Sequence, residues 1–335
     1  MRIIVTGGAG FIGSNLILHL RSNYSEYEIL NVDKLTYASD LNYLKDLEQD
    51  SYYNFQQLDL VNREELHQVI RDFNPDGIFH LAAESHVDNS IAGPEPFVLS
   101  NIVGTFNILE EFRQLWIEKN KPDNLRFLHV STDEVYGTLG EEGLFSESTP
   151  YAPNSPYSAT KAGSDLLVRA YFHTYKMNVV TTNCSNNYGP HQHDEKLIPT
   201  VIRSAFNHKS IPVYGKGENI RDWLFVEDHC RALSLVFEKG RSGETYNIGG
   251  HNEWRNIDLI KEICEILNKI VGNGPDGDYK TLITYVKDRP GHDQRYAIDP
   301  AKIERELDWQ NTQDFHRDLK KTVQWYLNKT KEKQG

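Results

Sequence analysis

Apolar residues fall into short continuous runs separated by segments of helical period. Ile3-Ile4-Val5, Glu28–Val32, Tyr53–Leu58, Gly77–Ala83, Arg126–Ser131 and Asn178–Cys184 are rich in β-branched and aromatic residues. Such runs predict strands, most of them covered on both faces. Between them, Asn15–Leu20 and Arg63–Phe73 carry apolar residues three and four apart, which predicts amphipathic helices. Strands alternating with helices imply an α/β fold, a doubly wound parallel sheet that binds its ligand at the carboxyl ends of the strands. Asp59, Ala82-Ala83 and Thr132-Asp133-Glu134 fall at such ends. Phe97–Glu118 and Tyr157–Tyr175 are apolar around most of their circumference, so each is expected to be buried on more than one side. A large single-chain core and a homodimer formed through a helix bundle both satisfy this pattern, and the homodimer is the preferred expectation.

The regular alternation breaks at Asn186-Asn187-Tyr188-Gly189-Pro190. Short elements with many turns follow, which predicts a smaller lobe over the cleft. The expected division is a nucleotide-binding domain over residues 1–185 and a mainly substrate-binding lobe over 186–330. No low-complexity linker separates them, so the boundary is soft and the chain is free to cross back.

The first turn is Thr6-Gly7-Gly8-Ala9-Gly10-Phe11-Ile12-Gly13, between a strand and a helix. Glycines permit a tight turn and close backbone approach, and a helix N-terminus favours pyrophosphate charge. Two registers fit, Gly7/Gly10/Gly13 and Gly8/Gly10/Gly13. Asp33 ends the next strand at the distance where a carboxylate meets the adenosine ribose hydroxyls. An acid there repels a ribose phosphate, which favours NAD over NADP, although Lys34 stands beside it.

Ser155-Pro156-Tyr157-Ser158-Ala159-Thr160-Lys161 opens a helix, with Ser155 able to cap it and Pro156 suited to its first turn. Tyr157 and Lys161 lie four apart, on one helix face. An ammonium beside a phenol favours the phenolate, so Tyr157 is a candidate base towards an alcohol. Hydride transfer needs only this pair. Asp133 and Glu134 add a candidate acid and base, which suggests a second reaction in the same cleft.

Composition changes this picture little. Among 335 residues the formal net charge is −12, which argues against nucleic-acid or anionic-membrane binding and requires local cations for any phosphate ligand. No apolar run reaches membrane-spanning length, and the N-terminus lacks a secretory signal pattern. Cys184, Cys230 and Cys264 have neither disulfide-framework nor zinc-ligand spacing, so no metal is expected and a reducing cytoplasm is the default. His191-Gln192-His193-Asp194 reads as a solvated loop.

The glycine turn, Asp33 and Tyr157-x-x-x-Lys161 together resemble the extended short-chain dehydrogenase/reductase family, whose nucleotide-binding part is a Rossmann fold. Thr132-Asp133-Glu134, Ala83–Asp88, Lys196–Pro199, Arg221-Asp222-Trp223 and Arg289–Asp293 narrow the resemblance to its nucleotide-sugar 4,6-dehydratase branch. The resemblance implies retained NAD, a dTDP-glucose substrate and supply of activated deoxysugars of the dTDP-rhamnose type. It assigns Thr132, Asp133, Glu134, Tyr157 and Lys161 to catalysis. It assigns Gly7, Gly10, Phe11, Ile12 and Gly13 to NAD, with Asp33, Lys34, Leu35 and Thr36, then Asp59 and Leu60, Leu81, Ala82 and Ala83, Ser100 and Asn187. To the sugar nucleotide it assigns Ser85, Thr132, Asn186, Lys196, Leu197, Arg221, Asn256, Arg289, His292 and Asp293. The rival expectations are an NAD-retaining UDP-sugar 4-epimerase or decarboxylase, which would not need Asp133 and Glu134, and a non-catalytic nucleotide-sensing scaffold.

Overall fold

A computed structural model describes residues 1–332 apart from 275, 276, 289, 290, 312 and 313. The first strands are β1 (Arg2–Thr6), β2 (Glu28–Asp33), β3 (Tyr53–Gln57), β4 (Gly77–His80), β5 (Arg126–Thr132) and β6 (Val179–Cys184). After β7 (Asn186–Tyr188), β8 (Ile211–Tyr214) and β9 (Ile220–Phe225), the chain returns to the first sheet as β10 (Thr245–Ile248). It ends with β11 (Glu253–Arg255), β12 (Ile283–Val286) and β13 (Arg295–Tyr296). The main sheet runs β10-β6-β5-β4-β1-β2-β3, with every neighbouring pair parallel.

Alternation along the strands assigns side chains to the two faces. Ile3 and Val5 of β1 join one core, which includes Leu16, Leu20, Leu233 and Val236 from helices Phe11–Asn23 and Val226–Lys239. Ile4 joins the opposite core with Leu66, Ile70, Ile108 and Phe112. The sheet is therefore the middle of three layers, as a parallel sheet buried on both faces requires. A separate core around Ile198, Trp223, Ile260 and Leu319 fills the C-terminal part, where β9 pairs with β7, β11 and β13.

The segment read as one helix from Phe97 to Glu118 is not uniform. Its α-helix begins only at Thr105, after a wider π turn over Val98–Gly104. Asn101 in that turn clamps the Glu84 backbone, accepting from its N–H at 2.8 Å and donating to its carbonyl at 3.0 Å. These bonds hold the turn at the cleft and bring Ser100 to the cleft wall. Among the described residues no helix is long and apolar enough to cross a membrane.

Candidate active site

The cleft lies at the carboxyl ends of the strands of the main sheet. On one side, helix Phe11–Asn23 starts at Gly10 without a side-chain cap and with no acidic residue in its first turn. Its leading N–H groups are left for an anion. Gly7 has φ +71, and a Cβ on Gly13 would stand 2.2 Å from the Gly7 carbonyl oxygen. Gly7, Gly10, Phe11, Ile12 and Gly13 line the cleft, whereas Gly8 packs behind the turn against Asn31 and Ile17. Of the two registers, Gly7/Gly10/Gly13 is the one whose three glycines all line the cleft.

Asp33 ends β2 in the same wall. Its carboxylate accepts from the Ala9 N–H at 3.0 Å, the Leu35 N–H at 2.8 Å and the Ser39 hydroxyl at 3.0 Å. Lys34 donates to Ser100 Oγ at 2.6 Å and pairs with Glu84 at 3.1 Å. Its charge is thus matched within the protein, and the Asp33 carboxylate beside it would repel a phosphorylated ribose. Thr36, Asp59, Leu60, Leu81, Ala82, Ala83 and Asn187 complete this wall, while Leu35 turns away from it with φ 60. The residues present fit NAD.

On the other side, β5 delivers Thr132, whose hydroxyl caps the turn Asp133–Tyr136 by accepting from the Glu134 N–H at 3.3 Å. Asp133 is 2% exposed and its Oδ2 has no hydrogen-bond partner. Burial, then the neighbouring Glu134 and Asp222, push its pKa well above the ordinary carboxyl range, against the opposing pull of Arg221. That direction favours the protonated carboxyl, the form able to donate a proton.

Helix Pro156–Tyr175 faces this acid. Ser155 accepts from the Ser158 N–H at 3.0 Å and donates its own N–H to Ser158 Oγ at 3.1 Å, a reciprocal cap that fixes the first turn. Tyr157 and Lys161 project from it into the cleft, both buried. Lys161 Nζ donates to the Val130 carbonyl at 2.8 Å, not to the phenol, and burial lowers its pKa. Burial, followed by the Glu134 carboxylate, raises the Tyr157 pKa well above its ordinary value. Burial and the Glu134 carboxylate thus act against the phenolate that the Lys161 ammonium is expected to favour.

The residues assigned to the sugar nucleotide divide into two groups. Ser85, Thr132, Asn186 and Lys196 line the cleft, and Lys196 Nζ donates to the Ser85 carbonyl at 3.1 Å. Arg221, Asn256, His292 and Asp293 lie outside its wall. Arg221 donates to the Asp293 carbonyl at 2.9 Å and stacks over Tyr296 at 4.2 Å. Asn219 bridges Asp293 and Asn256, donating its side chain to the first carbonyl at 3.1 Å and accepting from the second N–H at 2.9 Å. Asn154 Nδ2 joins this group to the start of the Tyr157 helix through Asp293 Oδ1 at 2.8 Å. His292 pairs with Asp288 at 2.6 Å, and Leu197 packs against the C-terminal core. Arg289 lies outside the described residues.

Sequence reading missed Ser39, Cys184, Gln192, His193 and Glu195, all of which line the cleft. Gln192 is buried and donates to the Asn187 carbonyl at 2.8 Å, and His191 stacks on Tyr43 with ring centres 4.2 Å apart. The loop read as solvated is therefore packed. Its position just beyond a strand end was the available signal. Among the described residues no cluster of three or more His, Cys, Asp or Glu is arranged to hold a metal.

Fold and site together define an NAD-dependent oxidoreductase scaffold of the extended short-chain dehydrogenase/reductase type, with an acid and a base added to its Tyr/Lys pair. The family described as GDP-mannose 4,6 dehydratase matches residues 4–322. A dTDP-glucose 4,6-dehydratase of Neisseria meningitidis serogroup B is 53% identical over 98% of this chain and 94% of its own length. The crystal structure of a double mutant of a Streptomyces venezuelae dTDP-glucose 4,6-dehydratase, solved with NAD bound, is 41% identical, covers 99% of this chain and 98% of its own, and has a TM-score of 0.90. A Thermotoga maritima UDP-glucose 4-epimerase is 25% identical, covers 98% of this chain and 100% of its own, and has a TM-score of 0.86. The chain belongs to the dTDP-glucose 4,6-dehydratase family.

Proposed function

We propose that the protein converts dTDP-glucose to dTDP-4-keto-6-deoxyglucose and water around a retained NAD. The observation that carries this reading is Asp133, a buried carboxyl whose protonated form is favoured, beside Glu134 and opposite Tyr157. Oxidation at carbon 4 alone gives that pair no task. Elimination of water gives each a task.

The glycine-turn wall would hold NAD, whose cationic ring would supply a hydride acceptor for carbon 4 and, once reduced, a hydride donor for carbon 6. Tyr157 takes the 4-hydroxyl proton, and needs positive charge from both Lys161 and that ring to offset its burial. Thr132 holds the 4-oxygen by a hydrogen bond. The 4-ketone acidifies carbon 5, and Glu134 removes that proton. Asp133 protonates the 6-hydroxyl, which departs as water. Glu134 then returns its proton to carbon 5 as carbon 6 is reduced, so the sugar loses one water; the proton that Tyr157 took from the 4-hydroxyl replaces the one Asp133 gave to that water, and its passage back to Asp133 restores the protein. Lys196, Arg221 and Arg289 are assigned to the diphosphate, because guanidinium and ammonium groups offer local positive charge in an acidic chain. Ser85, Asn186, Leu197, Asn256, His292 and Asp293 are assigned to the nucleoside and sugar.

The same reading takes residues 1–185 as the NAD-binding part and 186–330 as mainly substrate-binding, with Thr245–Ile248 crossing back. It places the enzyme in the cytoplasm, in line with three free, buried cysteines. It takes the enzyme as a homodimer through the helices bearing exposed Phe106, Ile117 and Leu166. Incubating the purified protein with dTDP-glucose, without added NAD, should give a 4-keto-6-deoxy sugar detected by its absorbance in alkali. Turnover confined to UDP-sugars, or epimerisation without water loss, would overturn the assignment.

A further inference from the structure

One buried carboxylate near the reacting groups has no task in the chemistry above. Asp165 sits on the Tyr157 helix, one turn beyond Lys161, and is 4% exposed. Its Oδ1 lies 3.0 Å from His129 Nε2, and its Oδ2 accepts from the Ser131 hydroxyl at 2.7 Å and the Tyr151 hydroxyl at 3.0 Å. His129 and Ser131 are two apart on β5, on one face of the strand that ends at Thr132. The carboxylate therefore ties the strand bearing Thr132, Asp133 and Glu134 to the helix bearing Tyr157 and Lys161.

We propose that Asp165 is a positioning residue for hydride transfer: it is the buried counter-charge to Lys161 and the brace that fixes the two catalytic elements relative to each other. The inference rests on the dehydratase reading. Burial disfavours the Lys161 ammonium, and Asp165 is the largest charge acting the other way. Of the other titratable groups nearby, the Glu134 carboxylate acts on Tyr157 across the cleft, and those around the pair itself are neutral at working pH. His129 is held down to about 4 and His80, stacked on it, lies well below its ordinary value. Cys184 is pushed up to about 12, and burial raises Tyr136 and Tyr151. When a cationic nicotinamide shares the pocket with Lys161, Asp165 supplies the balancing negative charge.

The test is the pH–rate profile of Asp165→Asn. Asn keeps the shape, and its carbonyl still accepts from Ser131 and Tyr151, while a shift of the His129 proton to its unpartnered Nδ1 lets Nε2 accept from the new amide. Removing the charge moves the alkaline limb of kcat down by about one to two pH units, as expected of a unit charge ~6 Å away in a partly shielded interior. Near that limb kcat falls about tenfold, with KM changed little. Tyr151→Phe removes a hydrogen bond but no charge and leaves the limb in place, as does Asp165→Glu; Asp165→Ser serves as the neutral variant should Asp165→Asn not fold. An unmoved limb in the neutral variant, or an equal shift in Tyr151→Phe or Asp165→Glu, overturns the proposal. A wild-type protein inactive on dTDP-glucose would instead remove the reading beneath it.

Discussion

Gly13→Ala tests the cofactor wall with a single added carbon. In the present backbone that carbon would stand 2.2 Å from the Gly7 oxygen, 2.7 Å from the Gly8 Cα and 2.9 Å from the Gly7 carbonyl carbon. Non-bonded carbons sit at ~3.5–4.0 Å, so the turn and the helix start must separate by about 1 Å. The atoms in the way are backbone, and no side chain can swing aside. A shift of that size stretches an N–H to phosphate bond from ~2.9 to ~3.9 Å, beyond hydrogen-bonding distance. Losing one or two such charged bonds, each worth ~1.5–3 kcal/mol, weakens NAD binding by roughly 10- to 10⁴-fold. The assay is the nicotinamide content of the purified variant, with turnover measured at rising added NAD. The variant should emerge depleted and regain activity only with added cofactor. If it retains a full complement of NAD and normal turnover unaided, the helix N-terminus does not hold the pyrophosphate as argued.

Asp133→Asn and Glu134→Gln should spare the first oxidation and slow elimination ~10²–10⁴-fold, so that reduced nicotinamide accumulates on mixing with substrate. Because the folded-state pKa of Asp133 is raised from 3.8, its stabilising contribution is complete below that value and is lost as pH rises. Asp133→Asn should therefore melt no lower than wild type at neutral pH, and a lower midpoint would contradict the buried neutral acid. Ser155→Ala removes the reciprocal cap and should cost about 1 kcal/mol in chemical denaturation. Burial holds His229 down from 6.5 to about 3, so its contribution to stability is lost as pH falls from the higher value towards the lower. His229→Gln should flatten the acid-side decline by about 1.4 kcal/mol per pH unit. Leu166→Lys, at a site 57% exposed, should give a monomer by sedimentation if the helix bundle forms the dimer.

What the sequence displayed was whatever depends on local pattern. The apolar runs of β1, β4 and β5 are continuous because both faces of each strand are covered, and Ser155-Pro156 marks a helix start because capping needs only neighbours. The pairing of β10 with β6 was hidden: Thr245–Ile248 joins a strand some sixty residues earlier, and four residues carry no record of that partner. The π turn at Val98–Gly104 was equally hidden, since the bonds from Asn101 to Glu84 and Thr160 are tertiary. Arg221 looked like a phosphate ligand by residue type. Its anchoring to backbone carbonyls and to the Tyr296 ring, beside the cleft, is tertiary and left no local mark.

The division of labour in the cleft explains how one scaffold serves different nucleotide-sugar reactions. The dinucleotide side is built mostly of backbone, glycine and small apolar residues, with the carboxylates of Asp33 and Asp59, the first bonded to Ala9 and Leu35. An epimerase and a dehydratase can share that side, and a TM-score of 0.86 to the Thermotoga maritima epimerase is the expected result. What differs must lie at the end of β5. There, the fold tolerates a carboxyl with an unpartnered oxygen and a second acid beside it. The unpartnered Asp133 oxygen costs the folded chain desolvation energy. Such groups persist when the reaction needs a proton donor and a proton acceptor within reach of adjacent carbons. That requirement belongs to elimination of water and not to epimerisation. The chemical assignment therefore rests on Asp133 and Glu134 more than on the dinucleotide fold beneath them.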